Sequence, residues 1–203
     1  MTKTLTGKNI ERIVNESKEH WDWASHLDWL TTPPYPFQRP IIYDNGTVIW
    51  GFCSIHPNAK IGANVVIGAF TNICGPAEIG DESRLQGFTF IPQGVTIGKR
   101  VFIGPGVMFT NIKYPTARFG KASRDRIFET ILVEDKAAIG AGAVICPNVK
   151  IGKGALVAAG SIVTQDVMAE YLVKGNPARH IKRIVDLEDE EEQQKHWGFA
   201  IRE

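Results

Sequence analysis

The sequence predicts an all-β domain wound as a three-sided column of stacked parallel coils, and three observations carry that prediction. An aliphatic residue recurs at every sixth position, a lane of small or β-branched residues runs four positions behind it, and glycine often follows the aliphatic residue. The first lane reads Ile49, Ile55, Ile61, Ile67, Ile73, Ile79, Leu85, Ile91, Ile97, Ile103 and Phe109. After a gap it resumes with Val133, Ile139, Ile145, Ile151, Val157 and Val163. The second lane runs from Cys53, Ala59, Val65 and Thr71 through Val107, then from Ala137 to Val167, and every member is small or β-branched. Glycine takes the next position at 62, 68, 80, 98, 104, 140 and 152.

A period of six is neither 3.6 nor 2, so each hexad is a short strand plus a corner. The large residue fills the interior, the small one sits near the corner, and glycine is expected to serve the strained turn. Three hexads close a coil of 18 residues. Seventeen hexads make roughly 5.7 coils, or a column roughly 27 Å tall at about 4.8 Å per stacked strand. Each coil buries its interior only against its neighbours.

The 203 residues suffice for one domain with terminal additions. Twenty-three basic against 22 acidic side chains leave a net charge of +1, which argues against a general nucleic-acid binder or a polybasic membrane patch. Three cysteines, Cys53, Cys74 and Cys146, lack CxxC spacing and exclude a disulfide scaffold or a cysteine zinc site. The first residues lack the apolar core of a signal peptide, and the longest apolar run, Ala137 to Cys146, is too short to span a membrane. The expectation is a soluble, cytoplasmic protein.

The flanks read differently. Ile10, Ile13, Val14, Ser17, Trp21 and Ala24 have helical spacing with Asn9 as cap, and Pro33, Pro34 and Pro36 then impose an extended course. Residues 1–42 are therefore expected to form a helical and extended cap over the open end of the column, or to take part in substrate binding. Six acids between Asp186 and Glu192 suggest a solvated terminal helix over 186–203. Between Thr110 and Thr130 the repeat breaks. This stretch holds Lys113, Arg118, Lys121, Arg124 and Arg126 against Asp125 and Glu129. An excursion of this length without a repeat must project from a corner; it reads as functional or as an arm that holds subunits together.

The repeat resembles the [LIV]-G-x-x-x-x pattern of hexapeptide-repeat acyltransferases over residues 43–185. That resemblance implies a left-handed parallel β-helix, to which the reading above adds helices at both ends and one projecting loop. The hand comes from the family, since the general crossover rule gives the right-handed one. Met108 to Ala117 and Leu85-Gln86-Gly87-Phe88-Thr89-Phe90-Ile91 resemble motifs of nucleotide-sugar N-acetyltransferases. Tyr171 to Arg179 is similar to the element that ends most acetyl-CoA-dependent members. The resemblance implies a homotrimer with active sites in clefts between copies, acetyl-CoA as cosubstrate, no metal, and a dTDP- or UDP-linked aminodeoxy sugar as acceptor.

The chain departs from its relatives where many carry histidine, having Phe88 and Pro105 there, and where they carry Asp, having Ile112. A sugar amine attacks a thioester once aligned, whereas a hydroxyl needs an activating base. No histidine lies between His56 and His180, which favours transfer to nitrogen. The candidate catalytic residues are Asn111, which either orients the amine or braces the loop, and His56, which is otherwise a surface or cap-packing residue. Gln86, Tyr114, Arg118, Lys121, Arg124 and Arg126 are candidates for binding the sugar nucleotide. For acetyl-CoA the resemblance points to Ala141, Gly142, Ala158, Ala159 and Gly160 beside the pantetheine arm, or else at trimer contacts, and to Lys174, Pro177 and Arg179 near the phosphates. The alternatives are an O-acyltransferase of the same fold and a non-enzymatic scaffold subunit. A zinc-dependent carbonic anhydrase of this fold needs three histidines that the column does not offer.

Overall fold

The computed structural model describes residues 40–115 and 128–184. They form a parallel β-helix with three faces. The first face stacks β2 (Val48–Ile49), β5 (Val66–Ile67), β8 (Arg84–Leu85), β11 (Phe102–Ile103), β14 (Ala138–Ile139) and β17 (Leu156–Val157). The second stacks β3 (Ser54–Ile55), β6 (Asn72–Ile73), β9 (Phe90–Ile91), β12 (Met108–Phe109), β15 (Val144–Ile145) and β18 (Ile162–Val163). The third stacks β4 (Lys60–Ile61), β7 (Glu78–Ile79), β10 (Val95–Ile97), β13 (Ile131–Val133) and β16 (Lys150–Ile151). The six strands of the second face mark six coils, close to the expected number.

Register follows the hexad. Ile49 pairs with Ile67, Ile67 with Leu85, and Leu85 with Ile103, each one coil apart. Across the excursion Ile97 pairs with Val133, so the excursion adds no coil to the third face. Every key residue from Ile67 to Val163 is buried, and the second lane is buried from Val65 to Val167. Buried lane hydroxyls are satisfied locally: Ser83 Oγ donates to the Gly98 carbonyl at 2.8 Å and accepts from the Val101 amide at 3.1 Å.

The glycines after the key residue do a different job from the one expected. A Cβ on Gly104 would lie 2.6 Å from the Ala141 nitrogen, and one on Gly140 would lie 2.5 Å from the Ala159 nitrogen. They are small because the next coil rests on them. The left-handed corner residue comes two positions later, and many of those positions are not glycine.

At the lower end β1 (Ile41–Ile42) runs antiparallel to β2. At the upper end β19 (Tyr171–Gly175) continues the first face and turns back as β20 (Ala178–Arg183). The helices expected at both termini fall on residues 1–39 and 185–203, outside the described residues; no helix occurs among the described ones.

Candidate functional site

The three corners of the column carry different chemistry. The loop corner joins the second face to the third. There the excursion leaves after Phe109, a fully buried ring, and its neck is bonded shut. Asn111 Nδ2 donates to the Gln93 carbonyl at 2.9 Å, the Glu129 amide donates to the Asn111 carbonyl at 3.1 Å, and the Ile131 amide donates to Gly94 at 3.1 Å. Asn111 is buried. Tyr114 is 78% exposed, with Lys113 Nζ 5.6 Å from its ring centroid. Arg118, Lys121, Arg124 and Arg126 lie outside the described residues.

His56 occupies the same corner in the lowest coil. Its Nδ1 accepts a bond from the Asn58 amide at 3.1 Å, which leaves the proton on Nε2. Within one chain it sits three coils below the loop neck, roughly 14 Å at about 4.8 Å per strand. The structure therefore does not bring His56 and Asn111 together within a chain. His180 is engaged elsewhere: its Nε2 accepts from the Met168 amide at 3.1 Å, and its ring meets Tyr171 edge-on.

The charged corner joins the third face to the first. Its left-handed positions hold Asn64, Glu82, Arg100, Lys136, Gly154 and Glu170. Lys99 pairs with Asp81 at 2.9 Å, and the Lys99 amide donates to Asp135 Oδ1 at 2.8 Å. The Lys99 ammonium holds the Asp81 carboxyl below its ordinary range, aided by the Ala63 amide. On the adjoining third face, Lys150 does the same to Glu134, with burial opposing and the Lys153 amide assisting.

The third corner joins the first face to the second, and it is divided. Its left-handed positions in the lower three coils are Phe52, Phe70 and Phe88, with φ of 62°, 61° and 61°. Their rings stack at 5.0 Å and again at 5.0 Å, within 10° of parallel, and they are 60%, 49% and 65% exposed. In the upper three coils the same position is Gly106, Gly142 and Gly160, at φ of 69°, 66° and 68°, and a Cβ on any of them would meet no atom within 4 Å. The amides of these glycines bond to the coil below, at Gly87, Pro105 and Ala141, so they do not offer donors to a ligand.

The β19–β20 hairpin closes the top of this open trough. The Ala158 amide donates to the Val173 carbonyl at 2.9 Å, and the Gly175 amide donates to Ser161 Oγ at 3.2 Å. Lys174 and Arg179 face each other across the hairpin, with Pro177 at its tip. The structure thus gathers Ala141, Gly142, Ala158, Ala159, Gly160, Lys174, Pro177 and Arg179 on one corner. Gln86 stands at the foot of the same trough, its carbonyl accepting Thr89 Oγ1 at 2.7 Å. Asn111 and Tyr114 stand on the loop corner, across the second face.

The ladder was the feature that sequence reasoning missed. Its signal is present: three phenylalanines 18 residues apart, each three positions after a first-face key residue. Setting the sequence out coil by coil exposes it.

The bacterial transferase hexapeptide family (six repeats) matches residues 44–75, 58–93 and 130–165. The matched segments lie in the column on both sides of the excursion. A relative in Staphylococcus aureus (strain bovine RF122 / ET3-1), a 2,3,4,5-tetrahydropyridine-2,6-dicarboxylate N-acetyltransferase, is 40% identical over 94 residues, 46% of this chain and 35% of the relative. The chain thus spans about a third of the length of the curated relatives it matches. Among solved structures, GDP-perosamine N-acetyltransferase from Caulobacter crescentus, a variant in complex with CoA and GDP-perosamine, aligns with a TM-score of 0.57 at 22% identity, covering 67% of this chain and 56% of that one. The N-acyltransferase AntD from Bacillus cereus, in complex with dTDP and 3-hydroxybutyryl-CoA, aligns at 0.60 and 24% identity, covering 68% and 80%. At these identities the likeness is one of fold. Among the described residues no three His, Cys, Asp or Glu side chains gather as a metal site, and no helix is long and apolar enough to cross a membrane.

Proposed function

We propose that this chain is an acetyl-CoA-dependent N-acetyltransferase acting on the amine of a nucleotide-linked aminodeoxy sugar, with dTDP or UDP as the nucleotide. The observation that carries the reading is the divided corner: a trough of open glycines leads from Gln86 up to the Lys174–Arg179 hairpin. A pantetheine arm fits along positions that lack side chains, and a guanidinium and an ammonium at its upper end suit phosphates. The Staphylococcus aureus relative described above is an N-acetyltransferase, which supports nitrogen as the acceptor.

The mechanism follows from what the trough lacks. With His56 remote from the neck and His180 engaged, the amine attacks the thioester directly. Alignment supplies the acceleration, and the proton leaves late to water or to the departing thiolate. The loop neck and the trough lie on opposite sides of the second face, so the reading calls for the neck of one copy beside the trough of another. A homotrimer with three interfacial sites satisfies this. Outward Phe90, Met108, Val144 and Ile162 on the second face, and Val66, Phe102 and Leu156 on the first, flank the trough with apolar surface. The third face instead carries ion pairs at Lys60–Glu78 and Lys150–Glu134.

The test is a thiol-release assay with acetyl-CoA over dTDP- and UDP-linked 3-amino and 4-amino sugars, with tetrahydropyridine dicarboxylate as the competing acceptor. Turnover on one of the sugars is expected. Turnover confined to the dicarboxylate, or silence across the panel, overturns the acceptor assignment.

A further inference from the structure

The fourth rung of the aromatic ladder is missing, and its absence bounds a space. Phe52 and Phe70 each have a ring stacked above them at 5.0 Å, whereas the position above Phe88 is Gly106, open to 4 Å around its missing Cβ. The upper face of the Phe88 ring is therefore the floor of the glycine trough. Four strand steps separate it from the hairpin, roughly 19 Å at about 4.8 Å each. The thirteen bonds from the sulfur of a CoA thioester to its first phosphorus span roughly 16 Å, at the ~1.2 Å per bond of an extended chain. With the phosphates at Lys174 and Arg179, an extended arm therefore brings the sulfur down to the ring face.

We propose that Phe88 is a specificity-determining residue, its bare ring face blocking any acyl chain that would continue down the corner and so restricting transfer to a short acyl group. This rests on the reading that a CoA thioester lies along the corner, and it assigns the acyl length that the reading leaves open. The backbone makes the position costly for phenylalanine: a bulky side chain at φ of 61° is strained, and this one is also 65% exposed. Removing the ring would lower the floor to Phe70, one rung or 5.0 Å deeper, about four carbon–carbon bonds.

Isothermal titration of the full chain with CoA, acetyl-CoA and hexanoyl-CoA tests this without requiring the acceptor. In Phe88→Gly, hexanoyl-CoA should gain tenfold or more in affinity relative to acetyl-CoA, since each newly buried methylene is worth about fourfold. CoA itself should bind as before. Phe52→Gly has the same backbone geometry two rungs lower and should leave the ratio unchanged. Glycine is at home at positive φ, so both substitutions relieve strain, and Phe88→Asn provides a second variant suited to that conformation. An unaltered hexanoyl-to-acetyl ratio in Phe88→Gly, with CoA binding intact, overturns the role of Phe88. Failure of the unaltered protein to bind CoA overturns the underlying reading instead.

Discussion

Two corners of this column have the same backbone and opposite surfaces. At the charged corner, Asn64, Glu82, Arg100 and Lys136 take φ between 54° and 61°; at the divided corner, Phe52, Phe70, Phe88, Gly106, Gly142 and Gly160 take φ between 61° and 69°. The fold asks the same of both. The charged corner answers with residues that water and neighbouring ions satisfy, such as the Asp81–Lys99 pair. The divided corner answers with bare rings below and bare backbone above. The rings are not what a left-handed position selects when stability alone decides, because glycine or asparagine serves it and phenylalanine does not. The difference teaches that the divided corner is shaped for something outside its own chain.

The sharpest way to break the comparison is to extend the ladder upward. Gly142→Phe places a ring in the trough midway to the hairpin, where no atom now lies within 4 Å of the added Cβ. Binding of acetyl-CoA should fall on the order of a hundredfold by titration, while left-handed strain costs only about 1–2 kcal/mol of stability. Retained binding would show that the trough is not the thioester site. Gly140→Val tests the neighbouring position, where glycine serves packing instead. Its Cβ would stand 2.5 Å from the Ala159 nitrogen, so denaturant unfolding should show a loss of about 3 kcal/mol. A neutral outcome there would mean the coils can separate, and that the column is looser than its backbone hydrogen bonds imply.

The column was almost fully legible in the sequence. The Ile49-to-Val163 lane names the buried interior, and the phase survives the excursion because 24 residues, a multiple of six, separate Phe109 from Val133. Periodicity reads what points inward; it is silent about what points outward, since solvent imposes no repeat on Phe70 or Lys136. The glycines were legible as glycines but not for their reason. Gly104 and Arg100 both sit at corners, and only coordinates reveal that the first lies beneath the next coil while the second carries the positive φ. The candidate cofactor residues gathered on one corner because 160 lies one 18-residue coil above 142, and 142 lies one coil plus the excursion's 18 extra residues above 106. Asn111 was legible as a polar residue where the repeat ends, yet its bond to Gln93, one coil below, depends on the neck closing around it.

Asn111 gives a smaller effect that compares the loop corner with the trough. Asn111→Ala removes the amide donor to the Gln93 carbonyl, worth about 1 kcal/mol of stability. On the proposed reading, in which Asn111 helps to orient the acceptor, turnover should fall roughly tenfold while the apparent KM for acetyl-CoA stays put. Stability lost with turnover unchanged would confine Asn111 to bracing.

The smallest effect is a pH dependence that only the charged corner and its adjoining face should show. The ordinary carboxyl values are 3.8 for Asp81 and 4.5 for Glu134, and Lys99 and Lys150 hold the two groups below these in the folded chain. A carboxyl whose folded pKa is depressed stabilises the fold above its unfolded value, and that contribution disappears as pH falls through the folded one. The melting temperature should therefore be level from neutral pH down to the ordinary carboxylate range and decline below it. Both pairs are exposed and screened by salt, so the decline should be slight and should shrink as ionic strength rises. Asp81→Asn with Glu134→Gln should flatten it further. The divided corner has no titratable group at its left-handed positions, so acetyl-CoA affinity in the double variant should match that of the unaltered protein at neutral pH. A shift in that affinity would mean that the two corners communicate through the coils, and that their chemistry cannot be assigned corner by corner.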